Sequence, residues 1–574
     1  MNDDTKRWGL RSKLMAHGDE QFSMFLRDIF IKAMGYGDDA LDRPVIGITN
    51  TSNGYSSCHQ AVPQLIDAVQ RGIMHAGGLP IVFPTIAPHE AFAYPTGMLY
   101  RNLMAIDTEE MIRGQSMDAV VMISGCDNTV PAQIMGAVSA NTPAILLVTG
   151  PMMAGSYRGE RVGACTDCRR LWGMHRAGEI SDGEVGELTN KLAPTAGTCG
   201  VMGTASTIAC MTEALGLMLP GGACIPSVTA DRLRHAEASG RRAVALAKEQ
   251  LTPDRILTPK AFTNAIRVLL AIGGSANCLI HLTAIAGRLG IRIDLDAVDR
   301  MGRETPVLID LKPFGQHYME DLQRAGGMPT LFRELREMLH LDCLTVTGRT
   351  LGEEIDAAER SWPQTVVRPL ANPIHPEGGL AVLRGNLAPE GAILKLPGAS
   401  PDLLTHTGKA VVFDSVDDLV ARIDDPHLDV SRDDILVLRN AGPKGSIGMP
   451  EAGQIPIPRK IAKQGVKDMV RISDARMSGT GSGTVVLHTC PEAAIGGPLS
   501  RLRTGDIVTL DVPNRQLNVM LDANEFAARA PNIPADSEVG RGYRRLYLDH
   551  VLQAGDGCDF DFLAQRPFTA VAPV

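Results

Sequence analysis

The chain has 574 residues, enough for two to four domains at roughly 100–200 residues each. Its formal charge is −9, with 56 Lys+Arg against 65 Asp+Glu, and only 4% of residues are aromatic, so no nucleic-acid footprint is evident. With 44% apolar and 21% charged residues the composition suits a folded, loop-rich α/β enzyme, not a disordered chain. No run of about 18 uncharged apolar residues occurs, and the start MNDDTKRWGLRSK carries no apolar segment of signal-peptide type. Neither a membrane span nor a secretory signal is therefore expected. Eleven cysteines, an odd number scattered along the chain, are unlike a disulfide framework and point to a reduced, cytoplasmic protein.

In chain order, Phe22, Leu26, Ile29 and Ala33 recur at helical spacing. Buried strands are predicted at Val45–Ile48, Ile81–Phe83, Ala119–Ser124 and Ala144–Val148, with helices near Leu65–His75 and from Pro131 between them. Strands alternating with helices imply a parallel sheet covered on both faces. Further helices are expected at 207–218 and 276–289. Pro363, Pro369, Pro373 and Pro376, ending in Gly378-Gly379, read as a linker within 361–379. Beyond it short strands dominate, at Ala392–Leu394, Ala410–Phe413, Ile435–Leu438, Thr484–Leu487, Ile507–Leu510 and Leu517–Leu521. The expected architecture is a large α/β domain over 1–375 and a smaller, β-rich, barrel-like domain over 376–574.

Three cysteines sit in similar settings. Cys58 follows the first strand in NTSNGYSSCHQ, Cys126 follows the third in SGCDNTVP, and Cys199 lies in the Gly-rich PTAGTCGVMGTAS. Ligands of open parallel sheets gather outside the carboxyl ends of the strands, so at least two of these thiols face one crevice. Three thiolates from distant segments do not fit a structural zinc site, whose ligands come in close pairs. They fit an iron–sulfur cluster with one iron lacking a protein ligand. On spacing alone, three separate buried thiols remain an equal reading. Cys165 and Cys168 form the sole CxxC, in GACTDCRRLWG. A zinc site would need a second pair, and the lack of one favours an unliganded loop pair over zinc or a redox couple.

Glu90, Asp127 and Glu451 are candidate hard ligands for Mg²⁺, although each taken singly reads as a solvated loop acid. The segment SDARMSGTGSG fits neither GxGxxG nor a P-loop; Ser478 before Gly479 is a candidate nucleophile or base on a sharp turn, against a plain flexible loop. No paired-ligand histidine spacing occurs, and His59 and His281 read as polar-network residues.

Taken together, NTSNGYSSCHQ, SGCDNTVPAQIMGAVSAN, GACTDCRRLW, PTAGTCGVMGTASTIACMTEALGLMLPG, GGSANCLIHL, GGLAVLRGNLAPEGA, GPKGSIGMPE and SDARMSGT resemble the dihydroxyacid dehydratase / 6-phosphogluconate dehydratase family over nearly the whole chain. GACTDCRRLW and DARMSGT look most like its sugar-acid branch. The resemblance implies a cluster-bearing α/β/α domain meeting a C-terminal β-barrel at the active site, and a homodimer or homotetramer. It implies an iron–sulfur cluster on Cys58, Cys126 and Cys199, [2Fe–2S] ahead of [4Fe–4S], and Mg²⁺ on Glu90, Asp127 and Glu451. It also implies a Ser478 alkoxide as base, with Thr480 beside it. The implied reaction dehydrates a 2,3-dihydroxy sugar acid, a C5 or C6 aldonate such as arabinonate, xylonate, galactonate or gluconate, to a 2-keto-3-deoxy acid. Branched-chain dihydroxyacid dehydration is the alternative; a phosphorylated substrate is not expected, because no Arg/Lys cluster assignable to a phosphate was found. One residue departs from the pattern. Many members carry a carbamylated Lys after the Cys-Asp pair, where this chain has Asn128. Its neutral amide oxygen is an additional candidate ligand, and the departure also raises a catalytically silent sugar-acid-binding paralogue.

Overall fold

The computed structural model describes residues 8–14, 18–359, 362–534 and 539–573. Four parallel strands, β1 (Val45–Asn50), β2 (Leu79–Pro84), β3 (Ala119–Ser124) and β4 (Ala144–Val148), form a sheet of order β2-β1-β3-β4. Ile46 pairs with Pro80 on one side and Ala119 on the other. β3 and β4 are buried along their whole length, as apolar runs covered on both faces by crossover helices must be. The helix Val62–His75 returns β1 to β2 and crosses helix Ala230–Glu249 through two glycines. A Cβ at Gly72 would lie 2.0 Å from the Glu237 carbonyl, and one at Gly240 2.2 Å from that of Val69.

The second half closes into an eight-stranded barrel. Its strands are β5 (Leu380–Gly385), β6 (Ala388–Lys395), β7 (Thr405–Phe413), β8 (Ile435–Leu438), β9 (Arg471–Ser473), β10 (Val485–Cys490), β11 (Ile507–Asp511) and β12 (Gln516–Val519). Their order around the barrel is β7-β8-β9-β10-β6-β5-β12-β11. The α/β-plus-barrel class is thus as expected, with β5 and β9 added to the strands read from the sequence. After the barrel the chain returns to the sheet domain: Ala570–Ala572 pairs in parallel with Ile291–Ile293. Fully buried Arg101 donates to the carbonyls of Gly557 and Cys558 at 2.8 Å, and Arg288 holds Asp559 at 2.9 and 3.1 Å.

Two expectations are corrected in detail. The predicted first helix forms at Glu20–Ala33, but Phe22 and Ile29 on its apolar stripe are exposed, as are Phe25 and Phe30, while Ser23 and Ile31 are buried. The proline-rich stretch is no free linker. Val367 and His375 bridge to Ile309 and Val307, and Val366 and Val367 are buried. Among the described residues, no helix is long and apolar enough to cross a membrane.

The helix Thr204–Ala214 that follows Cys199 is anchored by Glu213, whose carboxylate accepts from Gly221 and Ala223 backbone N–H groups at 2.6 and 3.0 Å. Burial nevertheless pushes its pKa from 4.5 to about 7. Between those values the folded chain keeps a proton that the unfolded chain has released, so this contribution to stability is full below pH 4.5 and is lost as pH rises to about 7. The loss is on the order of 3 kcal/mol. Denaturant titrations of Glu213→Gln across this window are expected to lack that slope.

Candidate active site

The carboxyl ends of β1, β2 and β3 open into one crevice, and the loops that leave them carry the candidate residues. Cys58 lies in the single turn Ser57–His59 beyond β1, and Cys126 between β3 and the helix Thr129–Ala140. His59 joins the two loops. Its Nδ1 donates to the Thr51 carbonyl at 2.9 Å, and its Nε2 accepts the N–H groups of Gly125 and Cys126 at 3.0 and 3.1 Å. Burial lowers its pKa to about 4, so it stays neutral and fit to accept. The polar-network reading of His59 therefore holds. His281 is likewise buried, with Nδ1 beside Arg101 at 3.3 Å. Gly125 has no room for a side chain, since a Cβ would lie 2.0 Å from Thr149 Oγ1 and 3.0 Å from the Cys58 carbonyl.

The thiols fall into two pairs. One ligand atom each of Cys58, Cys126 and His89 lie within 4.8 Å of one another. The Cys126 thiol, then His89, draw the Cys58 pKa down to about 5 against its burial, while the same partnership pushes Cys126 up. Cys199 pairs instead with Cys165, at an Sγ–Sγ distance of 3.0 Å. Cys58 and Asp127 lie close enough for their charges to act on both Cys165 and Cys199. The spacing of Cys165 and Cys168 gave no sign of this contact between Cys165 and Cys199.

The carboxylates lie beside the thiols. Glu90 accepts from Thr96 Oγ1 at 2.5 Å, from the Gly97 N–H at 2.8 Å and from Asn128 Nδ2 at 3.0 Å. Asn128 Nδ2 also reaches Asp127 Oδ1 at 3.2 Å, so one amide bridges two acids. Glu451 arrives from the barrel half and accepts from Asn277 Nδ2 at 3.1 Å. A single guanidinium, that of fully buried Arg476, serves Glu90 and Glu451, at 3.8 and 3.6 Å. That leaves negative charge unmatched. Burial, then the neighbouring Glu90, push Asp127 up to about 6, and burial pushes Glu451 to about 8. The Asn128 Oδ1 is buried without a hydrogen-bond partner. Three converging acids and an orphaned amide oxygen are a donor set that suits a hard divalent cation.

Ser478 stands on the turn after β9. Its Oγ lies 2.9 Å from Thr480 Oγ1, and Gly479 packs so tightly that a Cβ would lie 2.7 Å from Ser275 Cβ and from the Thr204 nitrogen. Beneath it buried Lys395 donates to the Gly479 carbonyl at 3.1 Å, with its ammonium 4.3 Å from the Phe314 ring centroid; burial lowers its pKa to about 7. Arg169 Nε reaches Thr480 Oγ1 at 3.4 Å. Every residue singled out from the sequence as a site candidate thus lies in this one region. Sequence reasoning passed over His89, Arg476, Asn277 and Lys395, and did not foresee the meeting of Cys165 with Cys199. His89 adjoins Glu90 and Arg476 lies within SDARMSGT, so their motifs carried a signal; Lys395 had none.

Residues 43–354 match the family described as dihydroxy-acid/6-phosphogluconate dehydratase N-terminal, and residues 365–558 its C-terminal counterpart. The chain is 46% identical over 538 residues to an L-arabinonate dehydratase of Rhizobium leguminosarum bv. trifolii, covering 93% of each chain. It is 46% identical over 553 residues to an L-arabonate dehydratase of Azospirillum brasilense, covering 94% of each. A 6-deoxy-6-sulfo-D-gluconate dehydratase of Pseudomonas putida is 42% identical over 530 residues, 92% of this chain and 91% of that one. The chain belongs to the dihydroxy-acid/6-phosphogluconate dehydratase family, among relatives that include sugar-acid dehydratases.

Proposed function

We propose that the protein is a sugar-acid hydro-lyase that removes water from a 2,3-dihydroxy C5 or C6 aldonate to give a 2-keto-3-deoxy acid. The observation that carries this reading is the convergence of a thiol cluster, three carboxylates and the Ser478 turn in one crevice. Cys58, Cys126 and Cys199 would hold an iron–sulfur cluster, [2Fe–2S] in preference to [4Fe–4S], and Glu90, Asp127, Glu451 and the Asn128 amide oxygen would hold Mg²⁺. When bound, these groups supply Lewis acidity toward the leaving hydroxyl and toward the carboxylate and C2 hydroxyl.

The residues of the chain supply the proton transfer. Ser478 Oγ accepts the C2 proton, with Thr480 Oγ1 at 2.9 Å as its hydrogen-bond partner. The Thr480 N–H points at the same oxygen from 3.5 Å. Lys395 fixes the turn through the Gly479 carbonyl, and Asn277 ties the Met477 carbonyl to Glu451, at 3.0 and 3.1 Å. The serine thereby keeps a set position relative to the acids. Charge near Ser478 favours its ionised form only where cations outweigh the carboxylates, which is why Arg476 and Arg169 belong to this reading. The division into a cluster-bearing half to about residue 375 and a barrel half supplying Ser478 is part of it, as are a reducing cytoplasmic setting and a homodimer or homotetramer. The exposed Phe22, Phe25 and Phe30 support association.

The test is 2-keto acid formation by anaerobically purified protein with Mg²⁺ across aldonic acids and 2,3-dihydroxyisovalerate. Turnover of a sugar acid is expected. Exclusive turnover of 2,3-dihydroxyisovalerate would establish the branched-chain reading, and none despite full iron content the silent one that Asn128 raises. Gly479→Ala is expected to keep its iron yet lose about 100-fold in kcat, because the added methyl lifts Ser478 off the Ser275–Thr204 bed. Asn128→Leu is expected to raise the Mg²⁺ concentration for half-maximal turnover about 10–100-fold, with Asn128→Asp lowering it.

A further inference from the structure

The cluster reading above uses three thiols, but four converge. Cys165 comes from the loop before helix Thr166–Ala177, 34 residues upstream of Cys199, and meets it at 3.0 Å. That is far longer than the roughly 2.05 Å of a disulfide, so these are two free thiols held together. The four do not form a ring of equals. They are two pairs, Cys58 with Cys126 within 4.8 Å and Cys165 with Cys199 at 3.0 Å. A [2Fe–2S] cluster with a full protein shell takes four thiolates, two on each iron.

His89 is the other donor nearby, and its bonding excludes it from that shell. Its Nδ1 accepts the Ala91 N–H at 3.3 Å, which leaves Nε2 to carry the proton of the neutral ring. In that tautomer neither ring nitrogen has a free lone pair for a metal, so His89 stands beside Cys58 without being a ligand. Cys165 differs from Cys58 and Cys126 in its setting too. Those two are buried, whereas Cys165, like Cys199, is half-buried, and it caps a helix that touches the proton-transfer turn. Thr166 Oγ1 reaches the Thr480 carbonyl, and Arg169 the Thr480 hydroxyl, each at 3.4 Å. The fourth thiol therefore lies at the head of a helix packed against the proton-transfer turn.

We propose that Cys165 is a fourth, exchangeable thiolate ligand of the iron–sulfur cluster, pairing with Cys199 while the crevice is empty and giving way when substrate binds. The proposal rests on the cluster reading above. No electrons are exchanged: the thiol loses its proton to solvent on ligation and regains one on release.

The test uses the anaerobic holoenzyme and its Cys165→Ser, Cys165→Ala and Cys168→Ser variants. Iron and acid-labile sulfide per chain are measured with resonance Raman spectra and with EPR of the dithionite-reduced cluster. In Cys165→Ala and Cys165→Ser, iron and sulfide are expected at the wild-type level, with altered g-values and one Fe–S(Cys) stretching band changed. Cys168→Ser is expected to match the wild type. Adding the sugar acid that is turned over should move the wild-type spectrum toward that of Cys165→Ala. A Cys165→Ala spectrum superimposable on the wild type would overturn the proposal while leaving the cluster standing. So would complete iron loss in both Cys165 variants, since an exchangeable ligand is dispensable. Iron that survives Ser substitution at each of Cys58, Cys126 and Cys199, or is absent from the wild type, would remove the cluster reading itself.

Discussion

One buried imidazole sets the geometry on which the site depends. His59 accepts two successive backbone N–H groups, those of Gly125 and Cys126, and donates to Thr51. It thereby fixes the distance between the loops leaving β1 and β3, and with it the spacing of Cys58 and Cys126. A protonated ring could not make these bonds, because Nε2 would then carry a hydrogen of its own. Burial removes that danger by disfavouring the charge. Gly125 completes the arrangement: the Cys126 loop lies so close to Thr149 and the Cys58 carbonyl that only hydrogen fits at its α-carbon.

What the barrel adds is charge. The crevice at the sheet carries Glu90 and Asp127, and the barrel half brings a third acid, Glu451, along with the buried guanidinium of Arg476. That guanidinium is held by the Met449 carbonyl at 2.8 Å and by Thr96 Oγ1 at 3.2 Å. Arg476 spans the joint between the two halves, touching Thr96 and Glu90 on one side and Met449 and Glu451 on the other. A buried arginine with only one of these acids would be costly, and the acids without it more so. Joining the halves gives Glu90 and Glu451 one shared cation, and leaves the remaining negative charge of the three acids unmatched.

The sequence made much of this legible, for identifiable reasons. β1, β3 and β4 announce themselves because strands buried on both faces read as unbroken apolar runs. β9 does not, since three residues beginning with Arg471 carry no period, and β5 is masked by the glycines and prolines before it. The stripe on the first helix was visible as a stripe, but periodicity cannot say which arc meets a core. The thiols illustrate the same limit. Strand-end positions brought Cys58 and Cys126 together on paper, whereas the meeting of Cys165 with Cys199 depends on the path of two loops. That path includes Gly197 at a φ of +132°, where a Cβ would lie 2.6 Å from the Met152 nitrogen. CxxC spacing said nothing of Cys199, which tertiary structure places 3.0 Å from the Cys165 sulfur.

Asn128 follows from this charge balance. Its amide nitrogen sits between Glu90 and Asp127, donating to both, and its oxygen is left buried with nothing to accept. An amide has one face of each polarity, so rotation about its terminal bond exchanges a donor for an acceptor in the same place. With the nitrogen inward, Asn128 screens two neighbouring acids from each other. With the oxygen inward it adds a third oxygen to the same set, which is favourable only if a cation is there to receive all three. A lysine-derived carbamate at this position would add a negative charge to a site that already has three acids against one buried arginine. The neutral amide asks less of the cation: it keeps an oxygen ligand available while leaving the net charge of the pocket unchanged.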